Sequence, residues 1–317
     1  MGFLSSLFSS SKENVSTEET PKDDQKNFDV LKYDGIRAMQ IKQIGYAIKC
    51  FQEALKIRSD METMNYLASA YSMIDDQESA LAIINEMLLL EPENINLLLS
   101  RINLHFALNR LNEVITDCDQ VIGLNPENQM AWYLRGKAKW ITNDRPGAKD
   151  DMDKTLAIKE DFADGYLFRA EMFLSTEEGE KALADVNKVI ELTEDDEMAY
   201  LLRGRIYELL DDKESAANDY AKVLELNPFH EAAYLLAGRL LTAQQKYDDA
   251  MTIYNEAIEH LESSAQAYAK RGHLKELTGD QQGAKEDLRI AARLASENNE
   301  EAEKQADFEN LYKGGIF

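Results

Sequence analysis

Cysteine and proline, which shape many small folds, are scarce in this chain: its 317 residues hold two cysteines and five prolines. Cys50 and Cys118 cannot build a disulfide framework, and such low usage fits a reducing compartment, so a cytoplasmic location is expected. Few prolines, together with only 15 glycines, leave long stretches free to be helical. Basic residues are also short, 35 against 59 acidic ones, and the resulting net charge of −24 argues against a surface that coats phosphates. Nucleic acid is therefore not an expected partner. No apolar run approaches the ~18 residues of a membrane span, and the first residues lack the basic leader of a signal peptide. What is present is a 44% hydrophobic complement, enough for a substantial core.

Recognisable chemistry is missing as well. His105, His230, His260 and His273 fall on different helical faces with no i, i+4 pair, and they read as surface or rim residues. The carboxylate clusters Glu194-Asp195-Asp196 and Asp211-Asp212 read as solvated turns next to helix starts. No metal, cofactor or catalytic residue is expected, and the chain does not read as an enzyme.

Residues 1–27 are expected to be a disordered tail, because Ser, Thr, Glu, Asp and Lys dominate after an apolar tip of Phe3, Leu4, Leu7 and Phe8. The opening Met-Gly-x-x-x-Ser also matches an N-myristoylation pattern, with Gly2 as acceptor and Ser6 in place. Lipidation, docking of the tip on a membrane or in a groove, and plain disorder all remain open readings of this segment.

From residue 28 onward the sequence is periodic. Ala148, Ala182, Ala216, Ala250 and Ala284 stand 34 residues apart, the ladder runs back through Val114 and Ala80, and one shorter loop brings in Ala47. Eight units follow: 28–60, 61–94, 95–128, 129–162, 163–196, 197–230, 231–264 and 265–298. The fourth position is bulky (Leu31, Met64, Leu98, Trp132, Tyr166, Tyr200, Tyr234, Tyr268) and the eighth is usually small. Pro92, Pro126 and Pro228 recur at the thirty-second position, where a helix must have ended. Each unit thus reads as two amphipathic helices that bury their stripes only by stacking on neighbours. Ile102 at an eighth position and Thr155 at a twenty-seventh are expected to loosen their repeats. Residues 299–317 read as a terminal capping helix, Glu300 to Tyr312, closed by Gly314 and Gly315.

This pattern resembles the tetratricopeptide repeat family, whose signature the seventh unit shows in Tyr234, Gly238, Ala250, Tyr254 and Ala257. The resemblance implies an all-α fold, a right-handed superhelical solenoid of helix hairpins with a concave groove lined by first helices. It also implies a non-enzymatic scaffold that binds a protein segment. The family's clamp for acidic chaperone tails is not supplied: Lys32 is followed by Ile36, and Asn103 has Leu99 where a lysine is needed.

Within the repeats, Arg101, Arg135, Arg169, Arg203 and Arg271 occupy seventh positions, and Asp117, Asp151, Asp185, Asp219 and Asp287 occupy twenty-third positions of the same five units. The other units lack both, which predicts a structural ion pair inside each hairpin. The groove stripe supplies Asn103, Phe106, Met130, Tyr133, Lys137, Trp140, Leu167, Leu201, Arg205, Arg239 and His273 as candidate partner contacts. Uncovered aromatics there suggest anchors, and the basic ninth positions suggest acidic groups on the partner, unless Glu171 and Glu208 take the arginines instead. Self-association through solenoid ends or the apolar tip is the alternative reading.

Overall fold

The computed structural model describes the backbone of residues 21–313 and the side chains of residues 23–298; the apolar tip, the Gly2 motif and Gly314-Gly315 lie outside the described residues. All described secondary structure is α-helical. The chain divides into two compact units, Met1–Ile158 and Lys159–Phe317. The first contains α1 (Pro21–Gln40), α2 (Ile44–Ile57), α3 (Met61–Met73), α4 (Gln77–Leu90), α5 (Ile95–Ala107), α6 (Leu111–Leu124), α7 (Gln129–Ile141) and α8 (Arg145–Ile158). The second contains α9 (Ala163–Ser175), α10 (Gly179–Leu192), α11 (Glu197–Leu209), α12 (Lys213–Leu226), α13 (Glu231–Ala243), α14 (Tyr247–His260), α15 (Ala265–Thr278) and α16 (Gln281–Lys313). In each unit, helices pair into antiparallel hairpins, and the second helix of a hairpin packs against the first helix of the next, which is solenoid stacking.

Local chemistry sets the helix starts. Asp60, Asn94, Asn128, Asp196 and Ser264 each accept a hydrogen bond from the backbone N–H three residues on, at 2.9–3.3 Å, and so cap α3, α5, α7, α11 and α15. Asp196 and Asp212 thereby have a role that the acidic clusters alone did not reveal: they cap α11 and α12.

Two boundaries differ from the sequence reading. Residues 21–27 are not part of a disordered tail but the first two turns of α1, with Pro21 at its start and Asp23 and Asp24 in the first turn. They are tied down further where Arg58 donates to Gln25 Oε1 at 2.7 Å and lies 4.0 Å from the Phe28 ring centre. At the other end no separate cap begins at Glu300, because α16 runs unbroken from Gln281 to Lys313. The eighth repeat has Ser296 where others carry the helix-ending proline, and nothing there stops the helix.

Packing across each hairpin follows size compensation between the eighth and twenty-fourth positions. Gly35 faces Phe51 and Gly204 faces Tyr220, and a Cβ on either glycine would lie 2.5 Å from the ring. Where the eighth residue grows, the twenty-fourth shrinks, as in Ala68 with Ile84, Ala170 with Val186 and Ile102 with Cys118. Ile102 and Cys118 are both fully buried, so Ile102 does not loosen its repeat; the small thiol makes room for it. Burial pushes the Cys118 thiol up to about 12, which keeps it protonated and unreactive. Thr155 is equally buried, and its hydroxyl donates to Asp151 O at 2.8 Å.

Each of the five arginines lies against the aspartate of its own hairpin. Arg101–Asp117, Arg135–Asp151, Arg169–Asp185, Arg203–Asp219 and Arg271–Asp287 all pair through Nε and Nη2 to the two carboxylate oxygens at 2.7–2.8 Å. The aspartates are only 2–5% exposed. The third guanidinium nitrogen reaches back to the preceding hairpin: Arg101 Nη1 to Asn85, Arg203 Nη1 to Asn187 and Arg271 Nη1 to Asn255 at 2.8–3.0 Å, and Arg135 Nη1 to Asp119. One side chain therefore joins three helices of two adjacent repeats. The seventh repeat lacks the rung, with Ala237 and Ile253 in place of the pair and Ala221 in the preceding acceptor slot.

Candidate functional site

The first helices of each unit present the second, fifth, ninth and twelfth positions on one stripe, since these are three or four residues apart. In the first unit, α3 and α5 enclose an open pocket of about 320 Å³, floored by Ala68, Ile84 and Leu104 and rimmed by Asn65, Ser69, Ser72, Ser100 and Asn103. The serine hydroxyls donate to carbonyls four residues earlier: Ser69 to Asn65 O at 2.8 Å, Ser72 to Ala68 O at 3.1 Å and Ser100 to Asn96 O at 2.9 Å. Their oxygens and the exposed amides of Asn65 and Asn103 form the polar rim. Asn65 holds the fifth position of its unit and so lies on the stripe, but its pairing with Asn103 in one rim exists only once α3 and α5 lie side by side.

On α7 the predicted anchors are less open than the sequence implied. Met130 is exposed, whereas Tyr133, Lys137 and Trp140 are half-buried, and Phe106 on α5 packs partly against the core around Leu98 and Ile102. Cations cover part of the aromatic faces: Lys137 Nζ is 5.3 Å from the Tyr133 ring centre, and the Arg145 guanidinium is 3.5 Å from that of Trp140.

In the second unit, α9, α11 and α13 line an open pocket of about 460 Å³ whose walls include Glu171, Leu174, Leu202, Arg205, Glu208 and Arg239. Arg239 takes the alternative that its sequence allows, pairing with Glu208 rather than standing ready for a ligand: its Nη2 donates to both Glu208 carboxylate oxygens at 2.8 Å. The Tyr220 hydroxyl also donates to Glu208, and burial with this carboxylate contact raises the tyrosine above its ordinary range. Arg205 is exposed, and among the described residues it has no ion pair. Leu201 corrects the sequence reading. It is 8% exposed and packed in the core cluster with Tyr220 and Val223, which leaves it little surface to offer a partner. Leu167 is half-buried against the core, and His273 is exposed on α15.

The histidines do not converge. His230 caps α13 through Nδ1 and the Ala233 N–H at 3.3 Å, and His260 stacks on Tyr234. His105 is a core residue, contrary to its reading as a rim residue. Its Nδ1 has no hydrogen-bond partner, and its Nε2 is 3.8 Å from Asp117. Burial lowers its affinity for a proton, with Asp117 opposing that effect. Among the described residues no cluster of His, Cys, Asp or Glu is arranged to hold a metal ion, and no helix is long and apolar enough to cross a membrane.

Comparison with known proteins agrees with this architecture. Residues 201–269 match the tetratricopeptide repeat family model. The human tetratricopeptide repeat protein 7A is 31% identical over 96 residues, 30% of this chain; the chain spans only 11% of that protein. A tetratricopeptide repeat protein from Parabacteroides merdae superposes with a TM-score of 0.60 at 18% identity, covering 84% of this chain and 99% of that one. YrrB, described as a TPR protein with an unusual peptide-binding site, has a TM-score of 0.50 at 21% identity over 61% of this chain and 97% of its own. With its described helices in hairpin phase, and bulky fourth residues and small eighth residues in their packing roles, the chain has the fold of tetratricopeptide repeat proteins and is similar in sequence to that family over residues 201–269.

Proposed function

We propose that the chain is a non-enzymatic, cytoplasmic adaptor whose first-helix face holds an extended or helical segment of another protein. The observation that carries this reading is the pair of open, first-helix pockets, each with an apolar floor and a polar rim. In the first unit, Asn65 and Asn103 present amide donors and acceptors suited to a peptide main chain, and the half-buried Phe106, Tyr133 and Trp140 lie on the first-helix stripes of the same unit. In the second unit Arg205 offers a charge-assisted hydrogen bond to one carboxylate of the partner. Glu171, Glu177 and Glu208 line the same pocket, so a segment with many acidic groups would be repelled. YrrB supplies a precedent for a peptide site on this fold.

The experiment is a quantitative pull-down comparing the wild-type chain with Y133A/W140A and with R205E. Partners retained by the wild type should fall severalfold with either variant. Equal recovery of every partner by all three proteins would remove the first-helix face from consideration.

A further inference from the structure

Among the described residues nothing precedes the first hairpin, and the stripe of α1 that would face a preceding repeat is uncovered. In α3, α5 and α7 the third and tenth positions are buried against the hairpin before: Thr63 and Ala70, Leu97 and Leu104, Ala131 and Ala138. On α1 the third position is Val30, 50% exposed, and the tenth is Arg37, with a largely exposed side chain. Tyr33 (58%) and Ile41 (65%) complete the row. Ile41 is the first residue after α1, and its N–H still donates to Arg37 O at 3.1 Å, so residues 30, 33, 34, 37 and 41 follow helical spacing and share one face. Charge also sets this helix apart. Lys22, Lys26, Lys32 and Arg37 balance Asp23, Asp24, Asp29 and Asp34, giving 4 − 4 = 0 in a chain of net charge −24.

We propose that this stripe is the contact of a two-fold symmetric dimer, with α1 lying antiparallel against α1 of a second copy. In an antiparallel helix pair, residues meet when their numbers add to a constant. The register that sets Asp34 against the partner's Arg37 also sets Val30 against the partner's Ile41, since 34 + 37 = 30 + 41. Each contact then occurs twice about the axis, once apolar and once ionic, which is the self-complementarity that a two-fold interface requires. Tyr33 lies beside the axis and adds the large amphipathic side chain favoured in such contacts. Within one chain Asp34 and Arg37 are 3.4 Å apart and exposed, an arrangement of little value, so re-pairing across the axis costs little. Local neutrality matters because two copies of so acidic a chain repel elsewhere. A second copy fits these observations better than a foreign partner, because the matching residues are all on the one stripe.

Sedimentation equilibrium on the 317-residue chain, at roughly 1–200 µM so that micromolar association is covered, tests the proposal. The expected mass at the upper end is twice the 36.0 kDa of one chain. V30E/I41E should be monomeric throughout, with unchanged helicity by circular dichroism. D34R and R37D alone should each weaken association about tenfold or more, one decade being about 1.4 kcal/mol. The combined D34R/R37D should restore it, an outcome peculiar to a self-complementary pair that also serves if V30E/I41E fails to fold. A wild-type monomer at every concentration, or a dimer indifferent to these changes, would overturn the proposal. So would a dimer lost in F3S/L4S/L7S/F8S while the stripe is intact, because that result would assign the contact to the N-terminal segment.

Discussion

Asp219 is 4% exposed and receives two hydrogen bonds from Arg203, whose third nitrogen is held by Asn187 of the preceding repeat. Replacing it with asparagine keeps the shape and removes the charge, which leaves a largely desolvated guanidinium without its counterion. Such losses cost about 3 kcal/mol, so Asp219→Asn should lower the urea midpoint markedly, whereas Asn187→Ala should cost about 1 kcal/mol. Equal midpoints for Asp219→Asn and the parent would show that solvent screens the rung. Two side chains give the protein an acid-labile character of opposite origin. At Asp287, burial alone would raise the carboxyl, but Arg271 and Lys275 outweigh it and hold it below its usual value. The stability it contributes is therefore present above about pH 4 and lost as the pH falls through the folded value. His105 is held low by burial, with Arg101 and Arg110 adding to the effect and Asp117 and Glu113 opposing it. Its unfolded form binds the proton more readily, so stability declines as pH drops below about 6.5. His105→Phe, the residue type that the fifth repeat places at the same position in Phe173, should abolish the difference between urea melts at about pH 7.5 and about pH 5.5 attributable to this group. The same difference in parent and variant would exclude His105 as its source.

At the scale of the element, the turn inside each hairpin repeats one feature. The fifteenth residue has positive φ in every repeat: Lys42, Asp75, Asn109, Asn143, Glu177, Asp211 and Gln245 at φ 55–70°, and Gly279 at φ 93°. This left-handed conformation disfavours long side chains, while glycine adopts it freely. Gln245→Gly should therefore raise the melting temperature by the equivalent of about 0.5–1 kcal/mol, and Gly279→Ala should lower it by a similar amount. A lowered melting temperature for Gln245→Gly would mean that Gln245 makes a stabilising contact that outweighs its backbone strain. The sequence betrayed the repeat phase through the alanine ladder, and α3, α5, α7, α9, α11, α13 and α15 start at the first residue of their units. It did not betray the positive-φ turns, because all but one of them lack a glycine there. The N-terminal extension of α1 was hidden by polar composition, which an exposed helix shares with a disordered tail. Size compensation was hidden for another reason: Ile102 looks wrong alone and right only beside Cys118.

For the whole molecule, periodicity made the fold legible while the candidate site was legible only in outline. A stripe at the second, fifth, ninth and twelfth positions follows from helical geometry, but its occupancy depends on neighbours. Arg239 was spent on Glu208 by a partner 31 residues away, and Leu201 turned into the core, whereas Arg205 kept an exposed head. Asn65 and Asn103, in adjacent repeats, became one rim through stacking. On the proposed reading, the first-helix faces receive a protein segment. Photo-crosslinking tests this directly, with a benzophenone amino acid placed at position 103 or 205 and, as the control, at exposed position 225 on the second helix α12. Positions 103 and 205 should yield crosslinked partners that position 225 does not, whereas equal labelling from all three, or from 225 alone, would contradict the claim.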